Sequence, residues 1–176
     1  MAGHSKWSKV KHKKAVSDAK KSKIFSKVIR LLNVEAKKAG GDANSPSLKA
    51  AIEKAKAYNI PKDNIERAIQ KGKGDSLSQT ESINYEAYGP GGVAIIIEAL
   101  TDNRNKTAAE IKHILSEHGL NLSGIGSALW AFERVEGGWK PKTIIKLSEE
   151  DENILAEIID NLEENDDVQE IYTNTE

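Results

Sequence analysis

The 176-residue chain has no cysteine, which excludes disulfides, thiolate zinc sites and a cysteine nucleophile. That fits a reducing compartment, and a cytoplasmic protein is expected. Long apolar runs are also missing: the longest, Val93 to Ile97, is far too short to span a membrane. The N-terminus lacks the apolar stretch of a secretion signal. It is basic enough to imitate a mitochondrial presequence, with ten basic residues and only Asp18 acidic in the first 30, but its helical pattern runs on into core-like positions. Aromatic residues are scarce, at 5%, and charged ones make up 30%, the composition of an ordinary soluble protein.

What the chain has is charge, unevenly placed. The net charge of −1 is a cancellation. Through Gly74 there are 19 basic and 6 acidic residues, a balance of +13; from Asp75 onward there are 7 and 21, a balance of −14. Halves of opposite sign argue for two lobes and for an electrostatic partner of the first.

The first half reads as helical. Asp18 to Lys38 predicts one long amphipathic helix, with Gly40-Gly41 as its stop. Ile24, Phe25, Val28, Ile29, Leu32 and Ala36 share one arc. Lys20, Lys23, Lys27, Arg30, Lys37 and Lys38 share the opposite one, with Lys21 an exception and Val34 intruding on the basic side. Ser45-Pro46 predicts a cap and first turn for a helix using Leu48, Ala51, Ile52 and Ala55. Pro61 opens a third, with Ile65, Ala68 and Ile69 inward and Gly72 as its stop. Their apolar stripes are narrow, so all three helices are expected to pack as a small bundle.

Residues 73–79 read as a linker, and beyond them the period turns toward strands. Ser82–Tyr88 and Val93–Leu100 flank a hairpin break at Gly89-Pro90-Gly91-Gly92. A helix is predicted over about Lys106–His118, with Ile111, Ile114 and Leu115 buried and Gly119 as its stop. Ala128–Arg134 and Thr143–Leu147 read as strands about a turn at Glu136-Gly137-Gly138. Ser148 to Asp151 resembles a capping box before a helix carrying Ile154, Leu155, Ile158, Ile159 and Leu162. Val168–Tyr172 is the last strand. The expected fold class is α+β: an N-terminal three-helix lobe, then an antiparallel-sheet α/β lobe with two helices on one face.

The opening carries the sharpest local chemistry. His4, Ser5, Lys6, Trp7, Lys9, Lys11, His12, Lys13 and Lys14 combine ammonium groups that meet phosphates with an indole that stacks on an exposed base or fills a groove. The alternative is a solvated tail whose Trp7 tucks against the bundle. Lys20, Lys23, Lys27 and Arg30 continue the same charge along the long helix, extending a phosphate-tracking surface. A helix-turn-helix, zinc finger or stacking-sheet signature is missing, so sequence-specific readout is not expected. The glycine runs at 72–74 and 89–92 lack the order of a phosphate loop. Between a strand and a helix, Asn103, Arg104, Asn105 and Lys106 offer two readings. Asn103 or Asn105 caps the helix, or the loop is a second contact surface, since Arg104 and Lys106 are basic exceptions in an acidic half.

The histidines suggest no metal site, because His113 and His118 fall on different helix faces. With no Ser/His/Asp arrangement or paired carboxylate in view, neither an enzyme nor a cofactor is expected. The acidic run 163–167 reads as a solvated loop.

Ala2-Gly3-His4-Ser5-Lys6-Trp7 with its lysine run, Tyr88-Gly89-Pro90-Gly91-Gly92, Thr101-Asp102-Asn103-Arg104-Asn105-Lys106-Thr107 and Asp166-Asp167-Val168-Gln169-Glu170-Ile171-Tyr172 together resemble the YebC-type proteins. The resemblance spans nearly the whole chain. It implies a helical lobe followed by α/β lobes, and a regulator of gene expression without catalytic activity. Some members are described as DNA-binding transcriptional regulators. Others act in translation, at ribosomes stalled on proline-rich nascent chains. Members usually carry an inserted lobe between the strand matching Ala128–Arg134 and the segment near Lys140. Here Val135-Glu136-Gly137-Gly138-Trp139 joins them directly, so the inserted lobe expected near 135–140 is absent.

The expectation is therefore a basic nucleic-acid-binding lobe over 1–76 and an acidic α+β lobe over 77–176. Its partner would be DNA or, alternatively, ribosomal RNA and the ribosome. No membrane, small-molecule substrate, metal or catalytic residue is expected. A third reading is a protein adaptor whose acidic lobe docks a basic partner.

Overall fold

The described part of the lysine-rich half folds into three helices: α1 (Asp18–Lys38), α2 (Pro46–Ala57) and α3 (Lys62–Lys73). The structure, a computed structural model, describes residues 18–40, 42–74 and 80–176. Expectations for the first seventeen residues, for Gly41 and for the linker at 75–79, which holds the expected boundary between lobes, lie outside the described residues. The described residues fall into two compact units, one within Val16–Thr80 and one over Glu81–Glu176.

In the helical unit, Val28, Leu32 and Ala36 of α1 pack with Leu48, Ala51 and Ala55 of α2, Ile60, and Ile65 and Ala68 of α3. Apart from Ile60, these are predicted inward positions. Three signals act differently from their reading. Ser45 precedes α2 but makes no side-chain capping bond, so Pro46, with its fixed φ and no N–H to satisfy, opens the helix. Gly72 does not stop α3. It lies buried inside the helix, where a Cβ would collide with the Asn33 carbonyl oxygen and come within 2.7 Å of the Ala36 Cβ. Its missing side chain lets α3 approach α1. Val34, assigned by periodicity to the basic side, is buried.

The second unit runs β1 (Glu81–Tyr88), β2 (Ala94–Thr101), α4 (Arg104–Ser116), β3 (Leu122–Ser123), β4 (Phe132–Val135), β5 (Gly138–Pro141), α5 (Glu149–Glu163) and β6 (Val168–Thr173). Strands β3-β1-β2-β6 form one antiparallel sheet, and β4 and β5 a separate hairpin. The β1–β2 turn is a short 3₁₀ segment, Pro90–Gly92, in which Gly91 and Gly92 adopt φ of 67° and 80°. A side chain there would be strained.

The unbroken apolar run of β2 has a plain cause: the sheet is covered on both faces. Ile95 and Ile97 point into a core with Ile111 and Leu115 of α4 and Leu155, Ile158 and Leu162 of α5. Ala94 and Ile96 point the other way, against Ala128, Ala131, Phe132 and Tyr172. The two helices thus share one face, as expected. The opposite face is roofed by residues 128–132 and the β4–β5 hairpin.

That roof departs from the sequence reading. Ala128–Arg134 is not one strand: Leu129–Ala131 turns as a 3₁₀ segment before β4 begins. The second hairpin strand is Gly138–Pro141, directly after the turn. Thr143–Leu147 is not a strand, having only an isolated bridge between Ile145 and Thr175. The Asn174 side chain takes the place of a ladder there, accepting from the Ala94 N–H at 2.7 Å and donating to the Thr143 carbonyl at 3.0 Å. Helix α4 starts two residues earlier than expected, because Asn103 caps it. Helix α5 begins after Ser148, whose hydroxyl accepts from the Asp151 N–H at 3.1 Å.

Candidate nucleic-acid interface

Lys20, Lys23, Lys27 and Arg30 lie along one helix, α1, at spacings of three and four, which align side chains on one side. Lys20 is exposed, whereas Lys23, Lys27 and Arg30 are half-buried. Each of the four already has a polar or electrostatic interaction. A lysine carries three donors and an arginine five. The described part of the helical unit keeps 14 basic against 6 acidic residues. His4, Ser5, Lys6, Trp7, Lys9, Lys11, His12, Lys13 and Lys14 lie outside the described residues.

The second candidate loop belongs to the other unit and is first of all a cap. The Asn103 side chain accepts from the Lys106 N–H at 3.1 Å, and its own N–H donates to the Thr101 hydroxyl at 2.9 Å. The buried Thr107 hydroxyl lies 2.8 Å from that of Thr101 and donates to the Asp167 carboxylate at 2.7 Å. Of the two candidate caps, Asn103 closes the helix end and Asn105 does not. Arg104, Asn105 and Lys106 are exposed on the first turn of α4. Arg104 stands 3.7 Å from Glu81, and Lys106 3.9 Å from Glu110.

Sequence reasoning missed the sheet's second face. Glu86 on β1, which sequence reasoning does not single out, is 3% exposed. Its carboxylate accepts three backbone N–H groups, from Gly126 at 2.7 Å, Leu129 at 2.8 Å and Ala128 at 2.9 Å. The loop over residues 124–129 is wrapped around a buried carboxyl group. Beside it the Tyr88 hydroxyl donates to the Ser127 carbonyl and accepts from the Trp130 indole N–H at 2.6 Å. A glutamate placed on a strand two residues before a tyrosine was the available signal, and it is a weak one.

A second carboxyl group, the half-buried Glu98 on β2, pins the hairpin. It accepts from the Trp139 indole at 3.0 Å and from Arg134 at 3.2 Å, while the Arg134 guanidinium sits 4.9 Å from the Trp139 ring centre. Burial pushes the Glu98 carboxyl above the ordinary 4.5, against the opposing pull of Arg134 and of the Trp139 bond. Burial likewise holds the Tyr172 phenol well above the usual range, helped by the charges of Glu98 and Glu170.

Among the described residues no three or more His, Asp or Glu side chains are arranged to hold a metal ion. His113 pairs with Glu117 at 3.1 Å, and the His118 ring with Asn161 at 3.2 Å. No helix among the described residues is long and apolar enough to cross a membrane.

These elements define a two-unit protein, a lysine-rich three-helix unit followed by an acidic antiparallel α+β unit. Residues 5–75 match the TACO1/YebC protein N-terminal domain, and residues 80–136 and 133–175 match the TACO1/YebC second and third domain. The chain belongs to the TACO1/YebC family.

A probable transcriptional regulatory protein of Thermoanaerobacter pseudethanolicus is 40% identical over 239 aligned positions, which cover 100% of this chain and 97% of the relative. Since this chain has 176 residues, some 63 of those positions face gaps here. The two family-matched stretches meet at 133–136, the end of β4 and its turn. Another probable transcriptional regulatory protein, from Desulforapulum autotrophicum, is 49% identical over 90% of this chain and 63% of its own length. The crystal structure of a conserved hypothetical protein from Aquifex aeolicus superposes with a TM-score of 0.80 at 31% identity, covering 95% of each chain.

Proposed function

We propose that this chain is a cytoplasmic, non-enzymatic regulator of gene expression that binds DNA through its N-terminal lobe. The observation that carries this reading is the row of cations along α1, in a unit of strongly positive balance that adjoins a lysine-rich N-terminal sequence. The relatives described as probable transcriptional regulatory proteins point the same way. Contacts would be mainly to phosphates, giving affinity and positioning without reading base sequence. Lys20, Lys23, Lys27 and Arg30 would extend the track begun by Lys6, Lys9, Lys11, Lys13 and Lys14, with Trp7 as a stacking or groove-filling anchor. Arg104, Asn105 and Lys106 would be a secondary contact.

The test is a salt titration of duplex binding. The triple variant K20Q/K23Q/K27Q is expected to weaken binding, and to reduce the salt slope by about 0.9 for each phosphate left without its lysine. Thermal melting checks that the half-buried lysines were not needed for folding. A folded variant with unchanged affinity and slope would sink the assignment. Crosslinking in cells, followed by sequencing of the bound nucleic acid, is expected to recover genomic DNA. Recovery of ribosomal RNA instead would move the same surface to translation.

A further inference from the structure

The acidic unit has a basic island. Residues 81–176 contain 7 Lys and Arg against 20 Asp and Glu, yet four of those seven, Arg134, Lys140, Lys142 and Lys146, fall within thirteen positions. Arg134 is engaged with Glu98, but Lys140, Lys142 and Lys146 are exposed and have no ion-pair partner among the described residues. Trp130, 56% exposed, lies close to Lys142. The Lys142 N–H donates to the Ala131 carbonyl at 2.7 Å, which sets Lys142 beside the residue that follows Trp130.

Trp130 is held in place. Its indole N–H donates to the Tyr88 hydroxyl, and Tyr88 in turn donates to the Ser127 carbonyl of the loop organised by buried Glu86. An exposed indole fixed in advance loses little rotamer freedom when a flat ligand covers it. The same loop carries Ile125, 99% exposed, as an apolar edge.

We infer that Trp130 with Lys140 and Lys142 forms a contact site for single-stranded nucleic acid, the indole stacking on an unpaired base and the ammonium groups meeting its phosphates. A duplex hides its base faces inside the stack, so an exposed indole plane selects unpaired strands. A protein ligand would use Ile125 and Trp130, but it would give no reason for uncompensated lysines to gather there in a unit of balance −13. Charge complementarity therefore favours a polyanion. This inference rests on the nucleic-acid-binding reading above, and it adds a second site, in the other unit, with a different strand preference.

The experiment uses the full chain and fluorescein-labelled ten-nucleotide oligo-dT, oligo-U and a duplex of equal length, read by anisotropy. Trp130→Ala is expected to weaken single-strand binding roughly ten-fold and leave duplex binding unchanged. Trp130→Phe, which keeps a ring, should recover most of the affinity. K140Q/K142Q should lower the single-strand salt slope by about 0.7 for each phosphate left without its lysine. The K20Q/K23Q/K27Q variant provides the control. If it alone weakens binding while the Trp130 and lysine variants behave as wild type, this inference falls and the proposed function stands. If it binds duplex as wild type does, the proposed function falls, whatever Trp130 does. A Trp130-dependent self-association in sedimentation, with single-strand affinity unchanged by the substitutions, would make the patch a protein interface and overturn the inference. Should Trp130→Ala unfold, the phenylalanine and lysine variants still decide.

Discussion

Glu86 shows how much one side chain can organise in this fold. Three backbone N–H groups converge on its carboxylate, and none would be satisfied by an apolar replacement. Glu86→Gln retains an acceptor but turns an amide NH₂ toward a donor. It is expected to cost about 1–3 kcal/mol, measured as a lower urea midpoint at unchanged slope. The loop holding Ser127 and leading to Trp130 should loosen with it. Gly72 is the opposite case, a residue whose importance lies in having no side chain. Gly72→Ala must separate α3 from α1 or distort both, at a cost of about 1–3 kcal/mol, seen as a lower melting temperature. Gly74→Ala, just beyond the helix, meets only the Lys71 carbonyl at 3.5 Å and should be nearly neutral. The pair separates a packing glycine from a terminating one, a distinction local sequence cannot make.

Among the elements, the β4–β5 hairpin is the most conditional. It attaches to the sheet through Glu98, with Arg134 and Trp139 above, and through Tyr172, whose hydroxyl donates to the Gly137 carbonyl at 3.3 Å. A Cβ on Gly138 would collide with the Tyr172 ring, so the turn fits only with glycine there. Because the Glu98 carboxyl titrates above 4.5 in the folded chain, the folded state holds its proton more tightly than the unfolded state does. Its contribution to stability is therefore largest below 4.5, and falls as pH rises through the elevated folded value. The wild-type stability minus that of Glu98→Gln should decline across that interval and level off above it. Parallel urea titrations at a series of pH values would measure this. A difference independent of pH would show that Glu98 is not the titrating group. The hairpin is also where the two family-matched stretches meet.

At the scale of the whole molecule, the two units differ in both charge and construction. If the basic unit meets duplex phosphates and the Trp130 surface meets unpaired strands, the chain should bind a duplex with a single-stranded overhang more tightly than either part alone. Anisotropy with such a junction probe tests this, and equal affinity for all three would count against two cooperating sites.

Much of the architecture was legible from residue order, because it is set by local terms. The C-terminal end of α1 follows from an amphipathic period and a glycine after it. The five-residue apolar run lies in a stretch that reads as a strand. Ser148 announces a helix start through capping chemistry, as does the Asn103/Asn105 pair without deciding between its members, and the opposite charges of the halves need no folding to be counted. What only the tertiary structure decided depends on contacts between residues distant in sequence. Gly72 is a packing site because Asn33 lies against it, and Glu86 is buried because a loop some forty residues later closes over it. Thr143–Leu147 is no strand because Asn174 takes the bonds a ladder would need. Trp130 becomes a presented ring only when Tyr88 holds it. Periodicity and capping operate within a few residues along the chain, whereas buried polar groups are satisfied by whatever the fold brings near them.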